Sequence, residues 1–166
     1  MIVLAPTGIA AINAGGVTIH SFFQVPFAPY VPESSFSADG KATYRFRYGK
    51  EKINIIRSID LLVIDEISMV RADLLDSVDA VLRRFRDRNK PFGGVQLLMI
   101  GDLQQLSPVV KDDEWQMLRK YYDTPYFFSS QALKQTEYCT IELKKVYRQN
   151  DGTFLELLNR IREKPL

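Results

Sequence analysis

Two segments of the chain place side chains able to act on a phosphate group at the ends of apolar runs. Leu61-Leu62-Val63-Ile64 leads into Asp65-Glu66, and further on comes Met99-Ile100-Gly101-Asp102-Leu103-Gln104-Gln105-Leu106. Each reads as a buried strand that delivers polar groups at its carboxyl end, where open α/β sheets bind ligands. An aspartate there can hold Mg²⁺ directly or through water, and an adjacent glutamate can orient and deprotonate a water attacking a γ-phosphate. Gln105 adds an uncharged amide able to touch that phosphate. Together these residues point to nucleoside triphosphate hydrolysis. Alone, an apolar run followed by Asp-Glu would more readily be a solvated strand end or a helix cap; the second segment shifts that balance. Asp102 has two readings of equal weight, behind a bound Mg²⁺ or as the cap of its own turn.

The elements that must position these groups alternate between strand and helix. Met1-Ile2-Val3-Leu4-Ala5 predicts a strand, Pro6-Thr7-Gly8 a turn, and Ile9 to Ala14 a short helix closed by Gly15-Gly16. A second short helix is expected to follow Thr18-Ile19-His20-Ser21-Phe22-Phe23. Between Ala72 and Arg88, Leu74, Leu75, Val78, Val81, Leu82 and Phe85 recur at helical spacing, with the arginines of 83–88 as a solvated face. Phe92-Gly93-Gly94 turns the chain into a strand over Val95 to Ile100. Helices are expected over Trp115–Tyr122 and Ser130–Gln135, a strand over Thr140–Leu143 and an amphipathic helix over Thr153–Arg162. This alternation predicts an α/β fold, a mainly parallel sheet flanked by helices.

Residues 24–52 have a different character. Pro26, Pro29 and Pro32 precede a Ser/Asp/Gly turn, after which Thr43 to Tyr48 alternates with the period of a strand. This is a small β-rich insert. Tyr44, Phe46 and Tyr48 interleave with Arg45 and Arg47, the composition of a nucleic-acid-facing ribbon, although an exposed hairpin would look the same.

Composition narrows the class. The 166 residues are 46% hydrophobic with a net charge of +2, enough for a packed core and too balanced for charge alone to name a partner. The single cysteine, Cys139, rules out an intrachain disulfide and reads as a small buried side chain. No apolar stretch is long enough to span a bilayer and the N-terminus lacks signal-peptide character, so the expected location is intracellular: cytoplasmic in a bacterium, nuclear or mitochondrial in a eukaryote.

In order, the chain carries Ala5-Pro6-Thr7-Gly8-Ile9-Ala10-Ala11, Gly15-Gly16-Val17-Thr18-Ile19-His20-Ser21-Phe22-Phe23, Ile64-Asp65-Glu66-Ile67-Ser68-Met69, Gly101 to Val109, and Val146-Tyr147-Arg148-Gln149. This series closely resembles the Pif-type DNA helicases, which belong to superfamily 1B and are related to RecD. The resemblance implies a partial RecA-like P-loop NTPase domain, 1A, over residues 1–23 and 53–166, with a 1B-like subdomain at 24–52. It implies ATP and Mg²⁺ as cofactors, Asp65 serving Mg²⁺, Glu66 activating water, and Gln105 and Arg148 contacting the γ-phosphate. Pro6, Thr7, Gly8, Thr18 and His20 are implied to touch single-stranded DNA, with Arg45 and Arg47 beside them. The implied activity is 5′-to-3′ translocation on single-stranded DNA and opening of duplex junctions in repair, recombination and telomere maintenance.

Structural roles stand beside several of these. Thr7 can cap the following helix and still meet a DNA phosphate; His20 is either a buried hydrogen-bonded imidazole or a DNA-backbone contact. Phe22, Phe23, Phe127 and Phe128 read as core. No Gly-x-x-x-x-Gly-Lys-[Ser/Thr] phosphate loop occurs in the 166 residues. The resemblance places that loop before Met1 and a second RecA-like domain after Leu166, so the chain reads as a fragment expected to hydrolyse ATP no faster than background. The alternatives are a catalytically silent DNA-binding or interaction remnant and another RecA-like ATPase.

Overall fold

Four short segments pair side by side into one parallel sheet. In the computed structural model, which describes residues 1–31 and 48–143, these are β1 (Ile2–Ala5), β2 (Val17–Thr18), β3 (Leu61–Ile64) and β4 (Gln96–Met99), ordered β2-β1-β3-β4. Leu4 and Ile64 align across β1 and β3, and Ile64 aligns with Met99 across β3 and β4. Leu4, Leu62 and Ile64 are fully buried. Strands covered on both faces need such uninterrupted apolar runs, which is why β1 and β3 lack polar alternation; β4, expected to be buried, is an edge strand whose Gln96 and Leu98 are exposed.

The covering helices are α1 (Gly8–Asn13), α2 (Ile19–Phe23), α3 (Lys50–Arg57), α4 (Ala72–Phe85), α5 (Asp112–Leu118) and α6 (Gln131–Lys134). On α4, Leu75, Val78, Val81 and Leu82 meet Phe23, Ile56 and Phe92 in the main core. Ala72, Leu118 and Tyr122 form a smaller cluster under α5. Gly16 lies where a β-carbon would come within 2.3 Å of the Val3 carbonyl oxygen, so a side chain there would force β2 away from β1.

Buried Asp76 pins the far segment to α4. Its carboxylate accepts the Tyr122 hydroxyl at 2.9 Å, the Gln131 and Ala132 amides at 3.0 Å each, and the Ser130 hydroxyl. Ser130 also caps α6 by accepting the Leu133 amide.

Several expectations change. α4 ends at Phe85 rather than Arg88, because Arg86 leaves helical geometry and turns its guanidinium onto the Ile56 and Arg57 carbonyls at the end of α3. Arg83 pairs with Asp79 at 2.8 Å. Arg83 and Arg86 are thus half-buried anchors, while Arg84 and Arg88 are exposed. α5 starts earlier than Trp115 and ends before Tyr122, its first turn carrying Asp112, Asp113 and Glu114, with Glu114 accepting the Lys111 amide. Thr140–Leu143 forms no strand: it pairs with neither sheet edge, and Ile141 and Leu143 are exposed, as is Cys139. Phe22 and Phe23 are core, Phe127 packs against it, and Phe128 lies outside, stacked on Tyr126. The expected strand at 43–48 (all but Tyr48), the helix at 153–162, most of the 24–52 insert, and Arg45, Arg47 and Arg148 lie outside the described residues.

Candidate nucleotide and nucleic-acid site

Because the strands are parallel, β1, β3 and β4 all deliver their carboxyl ends to one edge of the sheet. Main-chain bonds continue the ladder past each strand: the Asp65 amide donates to the Leu4 carbonyl at 2.8 Å, the Ile100 amide to Ile64 at 2.9 Å, and the Ile67 amide to Ile100 at 2.9 Å. Glu66 sits between the first and last of these bonds in left-handed geometry, φ 51° and ψ 43°. That turn aims the backbone of Ile67 back at β4. Asp65 Oδ1 accepts the Glu66 amide at 2.9 Å, fixing the carboxylate against its own turn and leaving Oδ2 for a cation.

Gly101 is pressed onto this turn. A β-carbon there would lie 2.9 Å from Ile67 Cγ2 and 3.1 Å from both the Ile67 and Ser68 nitrogens. The loop beyond is ordered by Asp102, whose Oδ1 accepts the Gln104 amide and whose Oδ2 accepts Gln105 Nε2, each at 3.0 Å. Asp102 thus caps its own turn, one of its two sequence readings, and also holds the Gln105 side chain. An ionised carboxylate only accepts, so the bond identifies the amide nitrogen as the end facing Asp102.

Beside this edge opens a cleft of about 270 Å³ whose walls include Pro6, Thr7, His20, Phe27, Met69, Arg71 and Val109. Pro6 and Thr7 leave the end of β1; Met69 follows the Glu66 turn and Val109 follows the Gln105 loop. Thr7 Oγ1 accepts the Ala10 amide at 3.2 Å, so it does cap α1. Thr18 caps α2 through the Ser21 amide in the same way. Gly8 and Thr18 are not among the cleft walls. His20 stacks on Phe27, and burial together with the nearby Arg71 charge lowers its pKa from the ordinary value, an effect partly offset by Asp73.

Arg71 is the interior cation of the cleft. It donates to both Asp73 oxygens, at 2.8 and 2.7 Å, and to Glu114 Oε2 at 3.0 Å, while Asp73 also accepts the Tyr30 amide at 2.9 Å. The network ties the start of α4 to α5 and to the segment after α2. Arg71, Asp73, Glu114 and Phe27 belong to no motif of the sequence; the Arg71–Glu114 and Asp73–Tyr30 contacts join residues 43 apart in the chain. The acidic first turn of α5 was the one visible trace.

Comparison with known proteins places this geometry. The family model for PIF1-like helicases matches residues 1–163. The chain belongs to the PIF1-like helicase family. It is 41% identical over 166 residues to the human ATP-dependent DNA helicase PIF1, covering 95% of this chain and 22% of that protein. For the Saccharomyces cerevisiae (strain YJM789) PIF1 the figures are 40% over 162 residues, 96% and 17%. The chain thus spans about a fifth of the curated relatives it matches. Bacteroides Pif1 helicase, solved in complex with ADP-AlF3 and single-stranded DNA, superposes with a TM-score of 0.89 at 45% identity, covering 97% of this chain and 36% of that one. The PIF1-like fold assigned here is accordingly RecA-like, as the motif order implied.

Proposed function

We propose that this PIF1-like chain is the nucleotide- and DNA-contacting part of an ATP-dependent helicase that moves 5′ to 3′ on single-stranded DNA and opens duplex junctions. One observation carries the reading: the Asp65-Glu66 turn and the Gln105 loop leave one sheet edge together, and both continue into the cleft that holds Thr7 and His20. A change at the phosphate is therefore mechanically adjacent to the DNA-facing wall. Glu66 takes the proton of the attacking water and Gln105 contacts the γ-phosphate, with Arg148 as the charge that meets it. Thr7 and His20, with Pro6, Gly8, Thr18, Arg45 and Arg47, face the strand. The phosphate loop and second RecA-like domain belong to other parts of the parent protein, which works inside the cell in DNA repair, recombination or telomere maintenance.

The donor set suits Mg²⁺. Mg²⁺ keeps several waters and takes one or two carboxylates beside substrate phosphates, and Asp65 offers one oriented carboxylate with Oδ2 uncommitted. When bound, the ion would neutralise charge on the β- and γ-phosphates. The test is Glu66→Gln in the full-length protein. DNA-stimulated ATP hydrolysis should fall to background while single-stranded DNA is still bound. Wild-type turnover in that variant would refute the assignment. The isolated 166 residues are expected to show only background hydrolysis, and DNA-stimulated turnover sensitive to Glu66→Gln would overturn that expectation.

A further inference from the structure

Phe27 has no role in holding the fold together. It is 82% exposed at the cleft, four residues beyond α2, whose own phenylalanines, Phe22 and Phe23, are buried. One face of its ring rests on the His20 imidazole, with centroids 4.4 Å apart and planes inclined by 19°. The opposite face is open to solvent.

The charge inside the cleft is already committed. Among the described residues that line it, Arg71 is the permanent cation, and its Nε, Nη1 and Nη2 all bond to Asp73 or Glu114. Asp73 is matched by Arg71 and the Tyr30 amide. His20 is held toward its neutral form. What the cleft presents outward is a stacked aromatic face, apolar walls from Pro6, Met69 and Val109, and the Thr7 hydroxyl. Those groups complement a flat neutral ring with polar edges and offer little to an isolated phosphate.

We propose that Phe27, backed by His20, is a stacking platform that receives a nucleobase of single-stranded DNA at the mouth of this cleft. The proposal rests on the helicase reading and deepens it by separating base contact from backbone contact. Every base has a π-face, so the platform is tolerant of sequence and compatible with a protein that moves along a strand. The Pro26-Phe27-Ala28 segment stands at the start of the 24–52 segment read as the insert, next to the chain that leaves α2.

The experiment is titration of the full-length protein with a fluorescein-labelled oligothymidylate at several salt concentrations, repeated with an abasic strand of equal length. Phe27→Ala should weaken binding to oligothymidylate by about 5- to 150-fold, the range for loss of one base–aromatic stack. The slope of log affinity against log salt should not change, since no phosphate contact is lost. Phe27→Leu should behave as Phe27→Ala, whereas Phe27→Trp should restore affinity. On the abasic strand wild type and Phe27→Ala should bind alike. The exposed position predicts an unchanged urea midpoint in all three variants, which separates lost stacking from lost folding. Equal binding of wild type and Phe27→Ala to oligothymidylate overturns the proposal and leaves the helicase reading standing. An equal loss on the abasic strand, or a shallower salt slope, overturns it as well. Failure of the wild type to bind either strand overturns both readings.

Discussion

Replacing Gly101 by alanine asks whether the Glu66 turn is held in register by direct contact with β4. The added methyl carbon would start 2.9 Å from Ile67 Cγ2 and 3.1 Å from the Ile67 and Ser68 nitrogens, whereas ordinary contact begins near 3.4 Å. Relief requires an opening of about 0.3–0.5 Å. The Ile67 amide is bonded to the Ile100 carbonyl at 2.9 Å, so the 67–68 segment cannot retreat without stretching that bond. Overpacking of this kind costs about 1–3 kcal/mol. Glu66 is the next residue back and moves with the segment. A misplacement of about 1 Å can cost about 100-fold in rate, so half of that corresponds to roughly tenfold, or about 1.4 kcal/mol of barrier. The assay is ATP hydrolysis by the full-length protein at saturating single-stranded DNA, run beside urea denaturation. Gly101→Ala should lower kcat about tenfold with little change in KM for ATP. Gly49→Ala, where no atom of the described residues lies within 4 Å of the new carbon, controls for the added methyl group. A kcat within twofold of wild type would refute the contact as the source of register.

Three further perturbations test other parts of the structure. Asp76→Ala strands the Gln131 and Ala132 amides and two hydroxyls, so urea unfolding followed by Trp115 fluorescence should show a loss of about 3–5 kcal/mol. Asp76→Asn keeps one acceptor oxygen and should lose about 1–3 kcal/mol; an Asp76→Ala variant within 1 kcal/mol of wild type would contradict the pinning role. Asp102→Ala frees the Gln105 amide and should reduce kcat several-fold without altering nucleotide-free DNA affinity, as read by single-turnover hydrolysis and anisotropy. For His20 the pH dependence has a definite sign. Its folded pKa lies below the ordinary 6.5, so as pH falls the unfolded chain takes up the proton first. The stability contributed by neutral His20 is complete above that value and is lost as pH falls through it toward the folded pKa. His20→Gln should flatten the fall in urea midpoint between about pH 7.5 and 5.5, and a wild type that instead gained stability over His20→Gln on acidification would reverse the assignment.

The sequence was most legible where burial alone dictates residue type. β1 and β3 are apolar on both sides because they lie inside the sheet with both faces covered, unlike edge strand β4, and Asp65 and Glu66 are conspicuous because they end such a run. Thr7 is readable as a cap since a cap is a local bond, closed within three residues, and Thr18 caps α2 by the same spacing. α5 begins three residues before its first apolar residue, Trp115, because Asp112, Asp113 and Glu114 form its first turn, so an apolar pattern alone places its start too late. Arg83 and Arg86 looked solvated, yet their partners Asp79, Ile56 and Arg57 occupy them, one within the helix and two across the core edge. Asp76 and Tyr122, or Arg71 and Glu114, stand far apart in the chain and meet only through the fold. Gly101 belongs to a legible motif, but the reason for its missing side chain is the backbone of another strand end.

Glu66 carries a conformation that its side chain does not favour. An L-residue in left-handed geometry bears a penalty of about 1–2 kcal/mol that glycine escapes. Glu66→Gly should therefore be neutral or modestly stabilising in urea, after allowing about 0.4–1 kcal/mol for the freer unfolded chain. The same change removes the carboxylate assigned to the attacking water. Optimisation of this protein for thermal endurance alone would accordingly be drawn to the position proposed to activate water, and a stability screen should hold residue 66 fixed.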